Sequence, residues 1–116
     1  MDLFDPAQSA LTAAMRGSAA RQQALAGNLA NVDTPGYVRK DVDFHAALRT
    51  AMGGGADPGS LSFAPQADGS APVRVDGNSV DVDAESSAMS QNALEYDAMA
   101  RVASARLDIL KSAMGL

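Results

Sequence analysis

Asp41, Asp43 and His45 stand at alternate positions, and two carboxylates with an imidazole are ligands that a divalent cation accepts. His45 is the only histidine, and no second acidic cluster completes a coordination sphere, so no metal is expected. Asp81, Asp83 and Glu85 have the alternation of a calcium loop. That pattern fails where glycine and glutamate are required, at Ser86 and Asn92. A cluster of acids at a helix start explains them better. The nucleophile elbow of a serine hydrolase is absent, and Gly53-Gly54-Gly55 is not followed by the Gly-Lys-Ser/Thr of a phosphate loop. With no cysteine, disulfides, thiolate metal sites and cysteine nucleophiles are excluded. No catalytic residue, cofactor or small-molecule substrate is expected.

The elements that carry these residues are organised around Asn28-Leu29-Ala30-Asn31-Val32-Asp33-Thr34-Pro35-Gly36-Tyr37. Helix is expected up to Val32 and is barred beyond it, because Pro35 pushes Thr34 out of the helical region. Pro35-Gly36 suits the centre of a type II turn, with φ fixed at the proline and positive φ tolerated at the glycine. The amides of Asn28 and Asn31 can satisfy the last helical carbonyls or reach the backbone of the turn. Read without context, this is a structural corner that fixes how helix and exit strand meet.

Before the corner, Asp5 and Pro6 read as N-cap and first helical residue. Leu11, Met15, Ser18, Gln22, Leu25, Leu29 and Val32 then recur at spacings of four and three, a heptad seam interrupted by Ser18 and Gln22. Alanines keep the remaining surface slim. Such a helix is about 37 Å long and needs a partner helix. After the corner, Tyr37 to Phe44 reads as extended, and Asp43 offers the N-cap of a short helix. Residues 53–72 hold five of the ten glycines and three of the five prolines, and read as a flexible loop. Valines at 73, 75, 80 and 82 flank Asp76-Gly77-Asn78-Ser79 and predict a β-hairpin over 73–83. Asp83 is the expected cap of a last helix with Glu85 in its first turn and Gly115 at its end. In it Met89, Ala93, Tyr96, Ala100, Ala103, Leu107, Leu110 and Met114 form a second heptad seam, beside a strip containing Met99, Val102 and Ile109.

The expected fold is mainly α, with long N- and C-terminal helices pairing as an antiparallel coiled coil around a hairpin and a loop-rich middle. Its segments are 1–33, 34–52, 53–72, 73–83 and 84–116. Leu11, Met15, Leu25, Leu29, Met89, Met99, Leu107 and Leu110 are the expected helix-packing residues.

Composition agrees: 47% of the residues are hydrophobic but only 4% aromatic, which favours close-packed helices over a β-sandwich. So small an aromatic payload points to a marginally stable monomer. Residues 1–52 carry five basic and five acidic groups, and 53–116 carry four and nine, giving a net −5. An acidic chain lacks the basic footprint that nucleic acid demands. No apolar run is long enough for a membrane span. The acidic start Met1-Asp2-Leu3-Phe4-Asp5 is unlike a secretory signal, which suggests the cytoplasm or export without a cleaved leader.

Asn-x-x-Asn-x-x-Thr-Pro-Gly-Tyr, at Asn28, Asn31, Thr34, Pro35, Gly36 and Tyr37, resembles the signature of bacterial flagellar rod, hook and axial proteins. The segment Asp76-Gly77-Asn78-Ser79-Val80-Asp81 resembles the stretch before the C-terminal helix in proximal-rod members of that family. Asn92-Ala93-Leu94-Glu95-Tyr96 is similar to their Asn-x-Leu-x-Tyr. The likeness covers 6–44 and 73–115 and departs at Gly27, where the family more often has alanine. It implies a non-enzymatic structural subunit required for motility. Export through the flagellar type III apparatus and self-assembly at the periplasmic base of the rod are implied with it. The implied neighbours are other rod proteins, the export gate and the small rod adaptor FliE. The rival readings are a helical adaptor and, less favoured, a metal-dependent enzyme using Asp41, Asp43 and His45.

Overall fold

The structure is a computed structural model that describes residues 6–115. Its elements run α1 (Pro6–Ala30), β1 (Lys40–Asp41), α2 (Phe44–Gly53), a single 3-10 turn (Pro58–Ser60), β2 (Gln66–Ala67) and α3 (Val82–Ala113). The expected N-cap Asp5 lies outside the described residues.

α1 is the central member. One flank packs against α3 and the other against α2, β1 and the 3-10 turn. Hydrogen bonds join Gln8 to Arg106, Ser18 to Asn92 and Asn28 to Glu85, so α1 and α3 run antiparallel. The molecule measures 61 × 28 × 14 Å. Its thinnest dimension is close to the diameter of one helix with side chains, about 10–12 Å. The radius of gyration is 17.3 Å, where a compact domain of this length would have about 13 Å. The core is correspondingly small: Ala13, Leu25, Val42, Phe44, Ala51 and Val80 are its buried apolar residues.

Gly17 is what lets α2 approach. A Cβ there would sit 2.4 Å from Cβ of Phe44, so only glycine admits the ring against α1. Asp43 caps α2 by accepting from the Ala46 N–H at 3.1 Å.

Four expectations are corrected. The valines of 73–83 do not pair as a hairpin. That segment makes a tight turn, with the Gly77 N–H donating to Arg74 and the Arg74 N–H to Asn78, and then packs on the corner. The two-stranded antiparallel ladder instead pairs Lys40 with Ala67 and Asp41 with Gln66. Its second strand comes from the Gly/Pro-rich stretch, which is laid against α1: Arg16 donates to the carbonyls of Leu61, Pro58 and Gly59. α3 starts at Val82, so its cap is Asp81 rather than Asp83; the Asp81 side chain accepts from the N–H groups of Asp83 and Ala84. Finally, the face that α3 turns to α1 is rotated from the expected seam. Glu85 and Asn92 are buried there, while Tyr96, Leu107 and Met114 are 41%, 52% and 54% exposed. Paired polar side chains set this register, and a search for apolar repeats passes over them. Of the other expected packing residues, Leu25 is fully buried, and Leu11, Met15, Leu29, Met89, Met99 and Leu110 are half-buried.

Candidate functional site

The two segments singled out by motif, 28–37 and 76–81, close on each other at the end of α1. The corner forms through a Tyr37 N–H that donates to the Thr34 carbonyl at 3.2 Å, with Gly36 between them at φ 76°. Positive φ at the third residue is the signature of a type II turn. Asn31 stays local, donating to the Gly27 carbonyl at 2.8 Å and accepting from the Thr34 hydroxyl at 3.1 Å. Asn28 reaches across instead. Its amide donates to the Lys40 carbonyl at 2.7 Å and its oxygen accepts from the Lys40 N–H at 2.9 Å, so the side chain imitates a neighbouring strand. The Tyr37 hydroxyl donates to the same oxygen at 3.2 Å.

Asn78 closes the junction from the other segment. Fully buried, it donates to the carbonyls of Asn31, Val32 and Thr34 at 2.8, 3.1 and 2.8 Å and accepts from the Val80 N–H at 2.7 Å. Those carbonyls include ones that a helix C-terminus leaves without partners. Gly77, at φ 85°, presses against the corner: a Cβ there would lie 3.2 Å from Cα of Gly36. The Gly36 N–H donates to the Asp76 carbonyl at 2.9 Å and the Ser79 N–H to the Tyr37 carbonyl at 3.0 Å. Arg74 adds bonds to the carbonyls of Val80 and Val32. The Asp76 carboxyl lies below the usual carboxylate range, chiefly because the Asn78 N–H donates to it.

Beside this amide clamp lies an ionic hub. Arg39 meets Glu85 at 2.5 Å, Asp68 at 2.6 Å and Asp41 at 3.4 Å, and Arg21 meets Asp41 at 2.9 Å. It ties the corner's exit strand to β2 and to the first turn of α3. Glu85 is 1% exposed and also accepts from Asn28 at 3.1 Å. The hydrogen bond to Glu85 makes Arg39 hold its proton more tightly than a free guanidinium, against the opposing pull of burial. Burial works against the Asp41 charge, but hydrogen bonds from Arg21 and the Val42 N–H outweigh it and lower its pKa. Asp68 is lowered by its bonds to Ser70 and then by Arg39.

Midway along the helices, Asn92 donates to the Ser18 carbonyl and to Gln22, each at 2.8 Å, and accepts from the Ser18 hydroxyl at 3.0 Å. The two interruptions of the α1 seam are thus the partners of Asn92. Tyr96, one turn on, is not brought into this network. Among the described residues, no buried side-chain nitrogen or oxygen lacks a partner.

The candidate metal ligands have other partners: Asp41 is in the hub, Asp43 caps α2, and His45 pairs with Glu95 at 3.0 Å while stacking on Phe44. Among the described residues, no group of three or more His, Cys, Asp or Glu is placed to hold an ion. The sequence reading missed Arg39, Arg21 and Asp68, and read Glu85 only as a dipole partner. No local signal marks them, because the apolar repeat of α3 assigns position 85 to solvent.

Fold and junction define an elongated helical protein whose corner is held by buried amide hydrogen bonds. No protein-family model matches the chain. It is 32% identical over 115 residues to the flagellar basal body rod protein FlgB of Escherichia coli K12, covering 83% of each chain. It is 30% identical, with the same coverage, to that of Salmonella typhimurium, and 35% identical over 106 residues, 80% of each chain, to that of Aeromonas hydrophila. The chain belongs to the FlgB family of flagellar basal body rod proteins.

Proposed function

We propose that the chain is a non-enzymatic structural subunit of the proximal rod, required for motility. It is exported through the flagellar type III apparatus and assembles in the periplasm. Its terminal helices pair with each other as an antiparallel coiled coil and assemble by helix packing with other rod subunits, and it joins the export gate and the adaptor FliE to the next rod proteins. Asn28, Asn31, Thr34, Pro35, Gly36, Tyr37, Asp76, Gly77, Asn78, Asp81, Asn92 and Tyr96 are the proposed assembly determinants. One observation carries the reading: Asn78 holds three carbonyls of a corner 44 to 47 residues away, fixing the angle between helix and exit. A repeating assembly needs that angle to be identical in every subunit.

The test is complementation of a strain deleted for its own copy of the gene, scoring swimming and exported protein together. The parent chain restores swimming. Asn78→Ala is made and exported but builds few rods. Full swimming of the uncomplemented deletion strain would overturn the reading.

A further inference from the structure

The stretch that follows α2 is held to the body of the molecule by polar contacts rather than by packing. It leaves α2 through Gly55, at φ 74°, and ends at Gly69. Between these glycines, 57–68 supplies none of the buried apolar side chains of the core, and Pro58 is its one buried residue. The packing beside it is incomplete. A hollow of about 500 Å³ lies where Pro6 and Ser9 of α1, Met52 of α2 and Pro58 meet.

The fastenings sit at the two ends. At one end the Arg16 guanidinium donates to the Leu61 carbonyl at 2.8 Å and reaches those of Gly59 and Pro58 at 3.4 and 3.5 Å. The Phe63 ring stands 5.8 Å from the same group. At the other end Ala67 and Gln66 pair with Lys40 and Asp41, and the Asp68 N–H donates to the Arg39 carbonyl at 2.9 Å. The Asp68 carboxylate meets the Arg39 side chain at 2.6 Å. Residues 62–65, in between, belong to no helix or strand. Segments with few buried apolar contacts and exposed fastenings open before the rest of a fold.

We infer that 57–68 is a strap that lifts off α1 and α2 as one piece while the paired helices and the corner stay folded, and that Arg16 and Asp68 are its two catches. The frame left behind keeps its own bonds. Arg39 retains Glu85 and Asp41, and Lys40 retains both hydrogen bonds to the Asn28 amide. Opening bares the side of α1 and α2 on which the 3-10 turn lies. It also frees Arg16, one of the two cations of α1; the other, Arg21, stays paired with Asp41. The molecule thus has two shapes on one frame, which differ in whether that flank and that charge are covered.

Chymotrypsin tests this on the purified chain, because Phe63 lies between the catches. A protease needs several extended residues on each side of its cut, so cleavage there reports the open strap. In the parent chain the rate of cleavage after Phe63 should rise only weakly with urea below the unfolding midpoint. A cut that required global unfolding would rise with the full slope of the equilibrium transition. The nicked chain should keep its helical circular dichroism. Each catch is partly exposed and ranks at the low end for a hydrogen bond to a charged group. Arg16→Gln and Asp68→Asn should therefore each speed the cut about five-fold, and together about 25-fold, since the two share no partner. Arg101→Gln, which breaks an exposed pair on α3, should leave the rate unchanged. A parent rate with the full urea slope, or an unchanged rate in either catch variant, would overturn the proposal. Swimming restored by the parent chain would still leave the rod reading standing.

Discussion

Two glycines in α1 should respond in opposite directions to the same substitution. Alanine in a helix interior is favoured over glycine by about 0.5–1 kcal/mol, and propensity alone predicts that gain at both Gly17 and Gly27. At Gly27 a new Cβ meets nothing within 4 Å, so Gly27→Ala should gain the full amount. At Gly17 the new Cβ would stand 2.4, 2.8 and 3.2 Å from Cβ, Cγ and Cδ2 of Phe44. Carbon atoms rest at about 3.5–4.0 Å, so the helices would have to part by roughly 1 Å. The nearest clash is with the Cβ of a residue only 1% exposed, at the start of α2, which cannot swing aside like a side-chain tip. Overpacking of this kind costs about 1–3 kcal/mol; taking the upper end and subtracting the helix gain leaves a net loss near 2 kcal/mol. The two variants should therefore differ by about 3 kcal/mol, a separation of roughly 1–2 M in urea midpoint for a typical slope. Urea titration followed by circular dichroism reads this directly. If Gly17→Ala raised the midpoint as much as Gly27→Ala does, the contact between α1 and α2 would not be as described.

Gly36→Val should block rod formation while the protein is still made and exported. Its φ of 76° costs a β-branched residue about 1–3 kcal/mol although the space around it is open. Leu25→Ala, at a fully buried position, should lose about 2–5 kcal/mol and still assemble detectably, so quantitation of rods separates the two. Glu85→Ala should destabilise by about 3–5 kcal/mol in chemical denaturation, because Arg39 loses its buried partner. Asp41 and Asp68 have folded pKa values below their unfolded ones. Their stabilisation is thus complete above about pH 4–5 and lost as pH falls through the lowered folded values. Urea titrations at pH 3 and 6 should show that loss, and Asp41→Asn should shrink it. Hydrogen exchange of dilute monomer should protect 82–96 of α3 and leave 104–113 open, since Glu85 and Asn92 are the buried residues of that helix. Uniform protection to residue 113 would contradict this.

The sequence made the corner legible because proline and glycine act on the backbone within two residues of themselves. The Asp43 cap of the short helix and the left-handed Gly115 were legible for the same reason. The partner of the corner was not. Asn78 was read as part of a hairpin turn, and nothing local distinguishes an amide that turns its own loop from one that reaches three carbonyls in a distant segment. Repeats of apolar residues found both long helices but misplaced the face of α3, because Glu85, Asn92 and Arg106 take positions that the pattern assigns to solvent. Gly17 passed unnoticed among the alanines, since its role depends on Phe44, 27 residues away. The Gly/Pro-rich stretch was read as loose because composition reports local preference and is silent about latches such as Arg16 and Arg39.

The junction is made of two materials, and ionic strength tells them apart. Charges farther apart than about 8 Å in physiological salt are largely screened, and partly exposed pairs lose strength well before buried ones. Arg39–Asp68 is a pair of this partly exposed kind and joins the exit strand to the end of β2, so concentrated salt should loosen the leg formed by β2. The clamp of Asn28 and Asn78 is uncharged and 0% exposed. Counter-ions have no purchase on it, and the direction in which the chain leaves α1 stays constant in brine as in dilute buffer.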